Sequence, residues 1–460
     1  MSTSTPAARR DLSFHIHPAS NLRTVQNEGP LVITRGEGCH VYDDAGHKYL
    51  EGMAGLWCAS LGFSERRLAD AAHRPMLELP FYHSFTGKVP AITTELAEKL
   101  ISVAPAGMAK ALFANSGSEA NDTAIKLVWY INNGLGRKNK KKIISRQRAY
   151  HGMTVAAGSL TGLAFAHNDF DLPIAGFVHT DCPHHYRGAK PGESEEAFAE
   201  RLAANLEALI AREGADTIAA FFAEPVMGAG GVVVPPATYF DRIQPILKKH
   251  DILFVVDEVI CGFGRTGRMF GSQTFNLQPD IMTVAKALSS GYLPISANLL
   301  SGRLCEILLA QSDKLGIFGH GYTYSSHPVP AAVALETLKI YEERDILAQV
   351  NRVGPRLQAG LRSFADHPLV GEARGIGLIG AIELVRDKAT KQSFEPKAGV
   401  APYLVRRAQH HGAILRYMAG DVVAFSPPLI ITESEIDTLM QCFGKALDDT
   451  WAMVKEKGLA

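Results

Sequence analysis

Short apolar runs that alternate with helical patterns constrain this chain more than any other feature. KALFAN (110 to 115), KKIISR (141 to 146), TIAAFFAEP (217 to 225), ILFVVDE (252 to 258) and IMTV (281 to 284) each have strand length and are rich in β-branched or aromatic residues. Helical patterns lie between them, over Ser118 to about Asn132, Phe198 to Arg212 and Tyr239 to Lys249, after an amphipathic Thr94 to Val103. In the Phe198 segment, Phe198, Leu202, Leu206, Leu209 and Ile210 share one face, and Gly214 stands just past the end. Strands apolar along their whole length, interleaved with helices, call for an α/β fold: a mostly parallel central sheet covered by helices on both faces. Ligands of such sheets bind at the carboxyl ends of the strands.

The flanks read differently. Residues 1 to about 30 read as a lightly structured arm, and VITRGEGCHVYDDAGHKYLEG reads as a hairpin turning at Asp44-Ala45-Gly46. Beyond about residue 335 come two long helices, Val329 to Glu343 and Asp345 to Phe364. A strand-rich stretch follows, then a helix near Tyr403 to His410 and strands at AILRYM and VVAFS. The last helix opens with the capping box Thr432-x-x-Glu435 and buries Ile436, Leu439, Met440, Phe443 and Leu447. The expected organisation is an N-terminal arm plus part of a small domain over 1–75, a large domain over 76–335, and the rest of a small α+β domain over 336–460. The N-terminal hairpin would complete the small domain.

Length permits a large core, since 460 residues suggest two or three domains. Lys+Arg (47) equals Asp+Glu (47), which leaves no general field for nucleic acid or an anionic membrane. No run of 18 apolar residues occurs, and the first residues carry no apolar leader segment. Six cysteines, at 39, 58, 182, 261, 305 and 442, include no C-x-x-C pair. Reduced thiols and a cytoplasmic protein are the expectation.

Three stretches carry chemistry. DIMTVAKALSSGYLP (280 to 294) sets Lys286 on apolar flanks at the end of a buried strand, with a turn behind it. The free amine titrates at about 10.4, and desolvation lowers it by disfavouring the charge. A neutral buried amine is a nucleophile suited to Schiff-base chemistry, whereas a lysine that snorkels from a strand end is ordinary. NSGSEAND (115 to 122) opens a helix, with Ser116-x-x-Glu119 as a capping box and Gly117 allowing close backbone approach. Such a helix start is an anion site or an ordinary cap. Asp257 ends ILFVVDE, where a buried carboxylate needs a partner, either a loop or a cationic ring nitrogen. Asp257 and Lys286 are 29 residues apart, close to one strand–loop–strand step. An anion cradle, an aspartate for a pyridinium nitrogen and a lysine for an aldehyde are together what pyridoxal phosphate requires.

On these stretches the chain resembles the class III aminotransferases, which are fold type I pyridoxal-phosphate enzymes, in the ω-amino acid or amine:pyruvate branch. The resemblance also rests on GLWCASLGF, AYHG (149 to 152), FFAEPVMGAGG (221 to 231), VVDEVICGFGRTG (255 to 267) and HGYTYSSHP (320 to 328), in order along nearly the whole chain. It implies that Lys286 binds the cofactor aldehyde and later moves the proton, and that Asp257 keeps the ring nitrogen protonated. It implies that Tyr150 and Val259 pack on the two ring faces, and that Ser116, Gly117 and Ser118 hold the phosphate with Thr323 of a neighbouring subunit. His151 and Glu224 would support the site, Trp57 would wall the amine pocket, and Arg416 would bind the carboxylate of pyruvate. Tyr417 and Met418 follow Arg416 where relatives often have Pro. The implied activity is a ping-pong transfer of an amino group from a primary amine or ω-amino acid to pyruvate, giving L-alanine, by a homodimer or a tetramer with sites at the interface.

Other readings share parts of this pattern. Polyamine, taurine or 4-aminobutyrate donors, an aminomutase or a decarboxylase would keep Lys286 and Asp257. A nicotinamide dehydrogenase is disfavoured, because GIG (375 to 377) and GAGG (228 to 231) are too short for a dinucleotide fingerprint. No metal is expected: His184-His185 has no third ligand at a recognisable spacing and reads as a loop. RKNKKK (137 to 142) reads as a solvated turn at a helix end.

Overall fold

The computed structural model describes residues 5–459. Its strands in chain order are β1 (Ile33–Glu37), β2 (His40–Asp43), β3 (Lys48–Glu51), β4 (Met108–Ala114), β5 (Lys142–Arg146), β6 (Phe177–Thr180), β7 (Ile218–Ala223) and β8 (Leu253–Asp257). There follow β9 (Ile281–Val284), β10 (Ser296–Ser301), β11 (Val370–Ile376), β12 (Ile379–Leu384), β13 (Ala413–Ile414), β14 (Arg416–Met418) and β15 (Val422–Phe425).

Seven strands form the central sheet in the order β4-β10-β9-β8-β7-β5-β6. Neighbours from β9 to β6 pair parallel, and only β10 runs against its two neighbours. Every residue of β7, β8 and β9 is buried. Alternate residues serve opposite faces, as the pleat requires. Phe221, Phe254 and Val256 pack with Phe198, Leu206 and Ile243 of helices Glu195–Glu213 and Tyr239–Lys249. Phe222 and Val255 pack with Ile125, Val128 and Ile131 of helix Gly117–Gly134. The α/β expectation therefore holds, with helices on both faces. The sequence reading missed β6 and β10. Strand β10 (SANLLS) is interrupted by a polar residue, Asn298, which is buried because its Nδ2 donates to Ala120 O at 2.9 Å.

Two smaller sheets flank this layer. Antiparallel β11-β12-β15-β14 lies in the C-terminal part, and β1-β2-β3 is extended by β13, which pairs parallel with β3. N-terminal strands and a C-terminal strand thus share one sheet. AILRYM, expected as one strand, divides at Leu415: Ala413–Ile414 joins β3, while Arg416–Met418 pairs with β15. The division turns Arg416 away from the N-terminal sheet.

The arm is more regular than expected. Helix Pro6–Phe14 is capped by Thr5, with Pro at its start, and helix Leu22–Glu28 is capped by Asn21 Oδ1, which accepts from Thr24 N at 3.0 Å. They bury only Ala8 between them, so no apolar stripe announces them. Helices Arg66–Glu78 and Gly302–Leu315 were likewise not anticipated. The Thr432/Glu435 capping box is present as read, on helix Glu433–Glu456.

Candidate active site

Strands β8 and β9 are parallel neighbours with Asp257 opposite Thr283. Their carboxyl ends therefore bring Asp257 and Lys286 to one edge of the sheet. Lys286 follows β9 by two residues and holds φ at +48°, a left-handed conformation that costs energy for a side chain of this size. Ser290 (φ +51°) and Gly291 (φ +74°) continue the turn. Gly291 is required there, since a Cβ would stand 2.9 Å from Cys58 Cβ. Desolvation lowers the Lys286 amine below the ordinary lysine range, and Cys58, Asp257 and Glu224 only partly oppose it.

Asp257 is 3% exposed. Burial alone would raise its carboxyl, but the ring of His151, then Asn121 and the Val259 N–H, hold it below the usual range. His151 Nδ1 lies 2.8 Å from Oδ2, Asn121 Nδ2 donates to the same oxygen at 2.8 Å, and Val259 N donates to Oδ1 at 3.0 Å. The carboxylate stays ionised, facing a cleft lined by Gly117, Ser118, Tyr150, Val259 and Lys286.

The N-terminus of helix Gly117–Gly134 closes one end of that cleft. Gly117 lies against Val259, where a Cβ would come within 3.1 Å of Cγ1. Gly152 (φ +133°) is pressed to the same helix, since a Cβ there would sit 2.5 Å from Ser118 Oγ. Ser118 Oγ accepts from Met153 N at 3.1 Å, which ties the AYHG loop to the helix start. These glycines let the loop and the segment after β8 pack closely on a helix start, whose free N–H groups and dipole suit an anion. Ser116 is exposed and does not line the cleft; its Oγ accepts from Glu119 N at 3.2 Å as a cap. The capping box differs from the expected one: Glu119 Oε2 accepts from Asn115 N at 2.8 Å, one residue further back.

Tyr150 and Glu224 form the remaining wall. Glu224 Oε1 accepts from Tyr150 N at 3.1 Å and Oε2 from Gly228 N at 2.9 Å, so one buried carboxyl positions two loops. Burial raises both the Glu224 carboxyl and the Tyr150 phenol. Trp57 stands at φ +58°, after Ala54 (φ +47°) and Gly55 (φ +67°), in a strained loop held by Glu51, whose Oε1 accepts from Met53 N at 2.8 Å. Its ring carries the Arg416 guanidinium 5.3 Å from the centroid. Arg416 is half-buried, and desolvation lowers its pKa while the Tyr150 hydroxyl partly offsets this. Among the described residues no carboxylate forms an ion pair with it.

The chain thus brings together Gly117, Ser118, Tyr150, His151, Glu224, Asp257, Val259 and Lys286 around one cleft, with Trp57 and Arg416 beside it. Thr323 is exposed and lies outside the lining. Reading of the sequence missed Asn121, Gly152 and Ile260 as lining residues, and Cys58 beside the lysine. Asn121 lies within NSGSEAND and Gly152 within AYHG, so the motifs themselves were the available signal. His184 is not a simple loop residue: its Nε2 lies 2.8 Å from Glu372 Oε2, near Glu383. Arg374 and Arg187 occupy those carboxylates, so the cluster is an ion-pair network.

The donor set fits pyridoxal 5′-phosphate. A buried ionised aspartate suits a protonated ring nitrogen, a desolvated lysine suits an aldehyde, and a glycine-lined helix start suits a phosphate.

Comparison with known proteins agrees. The family model for class III aminotransferases matches residues 23–447. Gamma aminobutyrate transaminase 1 (mitochondrial) of Solanum lycopersicum is 54% identical over 93% of this chain and 83% of its own length. Vanillin aminotransferase of Capsicum annuum is 51% identical over 93% of each. A crystal structure of the omega transaminase from Pseudomonas jessenii in complex with PMP superposes with a TM-score of 0.96 at 54% identity, covering 98% of this chain and 99% of that one. With the motifs, the sheet edge and the cleft in agreement, this chain belongs to the class III aminotransferases, fold type I enzymes whose cofactor is pyridoxal 5′-phosphate.

Proposed function

We propose that the enzyme moves an amino group from a primary amine or ω-amino acid to pyruvate, giving L-alanine and an aldehyde or ketone. The observation that carries this reading is Arg416, a half-buried guanidinium seated on an indole face with no carboxylate partner among the described residues. A planar fork without a counter-ion at the rim of such a cleft is suited to a substrate carboxylate. The indole seat gives it somewhere to rest when an apolar amine occupies the site.

Pyridoxal 5′-phosphate supplies an aldehyde carbon that accepts and gives up the amino group, and a ring that withdraws electrons. Lys286 would hold the cofactor at that carbon, and its desolvated amine, with a lowered pKa, is placed to take a proton from the donor carbon and to return it. Asp257 would keep the ring nitrogen protonated, Tyr150 and Val259 would hold the ring, and Trp57 would limit the size of the donor. A second donor reading, 4-aminobutyrate, is favoured by the names of the tomato relatives and by the same Arg416 fork.

Alanine formation from pyruvate with β-alanine, taurine, putrescine, 4-aminobutyrate and a chiral arylalkyl amine tests the reading and ranks the donors. In Arg416→Ala, KM for pyruvate should rise roughly 10- to 100-fold, the size of a lost charge-assisted pair. The half-reaction with an apolar amine should stay within about threefold, since Arg416 makes no charge pair there. Equal losses in both half-reactions would remove Arg416 from carboxylate recognition.

We also propose a homodimer in which Thr323 of the partner subunit completes the phosphate cradle. Phe81, Tyr82, Phe85 and Tyr324 (60% exposed) are exposed beside Thr323, with Phe81 and Tyr324 ring to ring at 5.6 Å and Phe85 against Gly321. Surfaces of this composition mark association sites. Light scattering on the purified holoenzyme should give twice the chain mass; a monomer of full activity would rule the arrangement out.

A further inference from the structure

The sheet β11-β12-β15-β14 carries an arginine on each of its two edge strands, Arg374 on β11 and Arg416 on β14. They are in register. Arg374 pairs with Ala381, Ala381 with Ala424, and Ala424 with Arg416. Directly opposed residues of an antiparallel sheet share a face, so the four side chains form one row across it. At a strand spacing of about 4.8 Å the row spans roughly 14 Å. Ala381 and Ala424 pack with Trp57, Val232 and Ile260, so the row lies against the wall of the cleft.

Arg374 fastens its end of the row. Its side chain is 7% exposed. Nη2 and Nε donate to Gly231 O at 2.6 and 2.9 Å, across the gap to the GAGG loop beyond β7. Nη1 donates to Glu372 at 2.5 Å and to Glu383 at 2.7 Å. His184 Nε2 meets Glu372 at 2.8 Å, and Arg187 Nε donates to Glu383 at 2.5 Å, both from the segment after β6. A buried network of this kind adds little net stability over apolar packing. A fork that must satisfy two carboxylates and the Gly231 and Val232 carbonyls at once does admit only one seating of the sheet.

The GAGG loop does not depend on Arg374 for its own position. Gly228 N is held by Glu224, Met227 and Val233 pair backbone to backbone, and Gly230 lies so close to Arg148 that a Cβ would be 2.3 Å from its carbonyl oxygen. The loop is the fixed party, and the sheet is what Arg374 seats.

We propose that Arg374 is a positioning residue for Arg416: by locking the row Arg374–Ala381–Ala424–Arg416 onto the GAGG loop, it sets how well the enzyme binds substrates that carry a carboxylate. The inference rests on the carboxylate-binding role proposed for Arg416.

The test compares pyruvate with propanal, an acceptor of similar size without the carboxylate, in the holoenzyme variants Arg374→Lys and R374M/E372Q. The double variant removes one charge of each sign, so Glu383 keeps Arg187 and no buried carboxylate is stranded. Thermal unfolding and the visible absorption of bound cofactor confirm folded, loaded protein. KM for pyruvate should rise about tenfold in R374M/E372Q and less in Arg374→Lys, while kcat, propanal and the apolar-amine half-reaction stay within about twofold. Adding Arg416→Ala should then cost no more than Arg416→Ala alone, the mark of two residues acting through one contact. Parallel losses with pyruvate and propanal, or fully additive losses with Arg416→Ala, would overturn the proposal. A pyruvate KM that moves in Arg416→Ala but not in the Arg374 variants overturns the role of Arg374 alone. One that moves in neither overturns the reading of Arg416 and this inference with it.

Discussion

Lys286→Ala should lose turnover by about 10⁴-fold or more, the size expected when a general acid–base group is removed, before any covalent contribution is counted. Among the described residues the Lys286 amine meets three demands together. It stands at the sheet edge two residues past β9, it lines the same cleft as Asp257, and desolvation lowers its pKa toward the neutral form a nucleophile needs. The amine is presented from a backbone at φ +48°, a strained conformation that the surrounding turn imposes. The change leaves no buried charge stranded by loss of a partner, because Asp257 keeps His151, Asn121 and Val259. The variant should therefore fold. Steady-state turnover and the visible absorption of the lysine-bound cofactor are the two measurements. Native turnover, or an unchanged absorption band, would refute the assignment.

Asp257→Asn should reduce turnover on the order of 10²- to 10³-fold, as expected for losing one preorganised electrostatic partner. The reason is donor geometry as much as charge. All three protein contacts to the carboxylate are donors: His151 and Asn121 to Oδ2, and Val259 to Oδ1. Either orientation of an asparagine amide turns its NH₂ group toward at least one of these donors, leaving a clash in a fully buried place. The neutral amide would also fail to hold a proton on the cofactor's ring nitrogen. Turnover across a pH series, with cofactor content measured in parallel, separates weaker chemistry from weaker binding. A variant with full cofactor content and native turnover would remove Asp257 from the mechanism.

Some of this was legible in the amino-acid sequence because it is local along the chain. Asp257 and Lys286 each close an apolar run, and the end of a buried strand is where a parallel α/β sheet presents side chains to a ligand. Helix Tyr239–Lys249 and strand Ile281–Val284 have the bounds that their hydrophobic patterns predict. Ser116 was legible as a helix cap, and a cap is what it is; its assignment to the cofactor came from its motif, and the cleft does not include it.

What stayed hidden depends on contacts between distant segments. Asn121 reaches Asp257 across 136 residues, and no periodicity in a helix encodes such a bond. His184 has no ligand-like neighbour in sequence, yet the fold sets Glu372 beside it, 188 residues away. AILRYM has the pattern of one strand, and its break at Leu415 follows from two sheets competing for its backbone hydrogen bonds.

By itself, then, the sequence determined the α/β class and the place of Asp257 and Lys286 at the ends of buried strands, because strand burial and helix starts are written in short-range pattern, while its motifs carried the likeness to a pyridoxal-phosphate family. Only the tertiary structure decided what surrounds them: the three donors on Asp257, the seat of Arg416 on Trp57, and the row of residues that ties Arg416 to Arg374. Those are set by register and packing between elements far apart in the chain, and neither has a period that a single sequence displays.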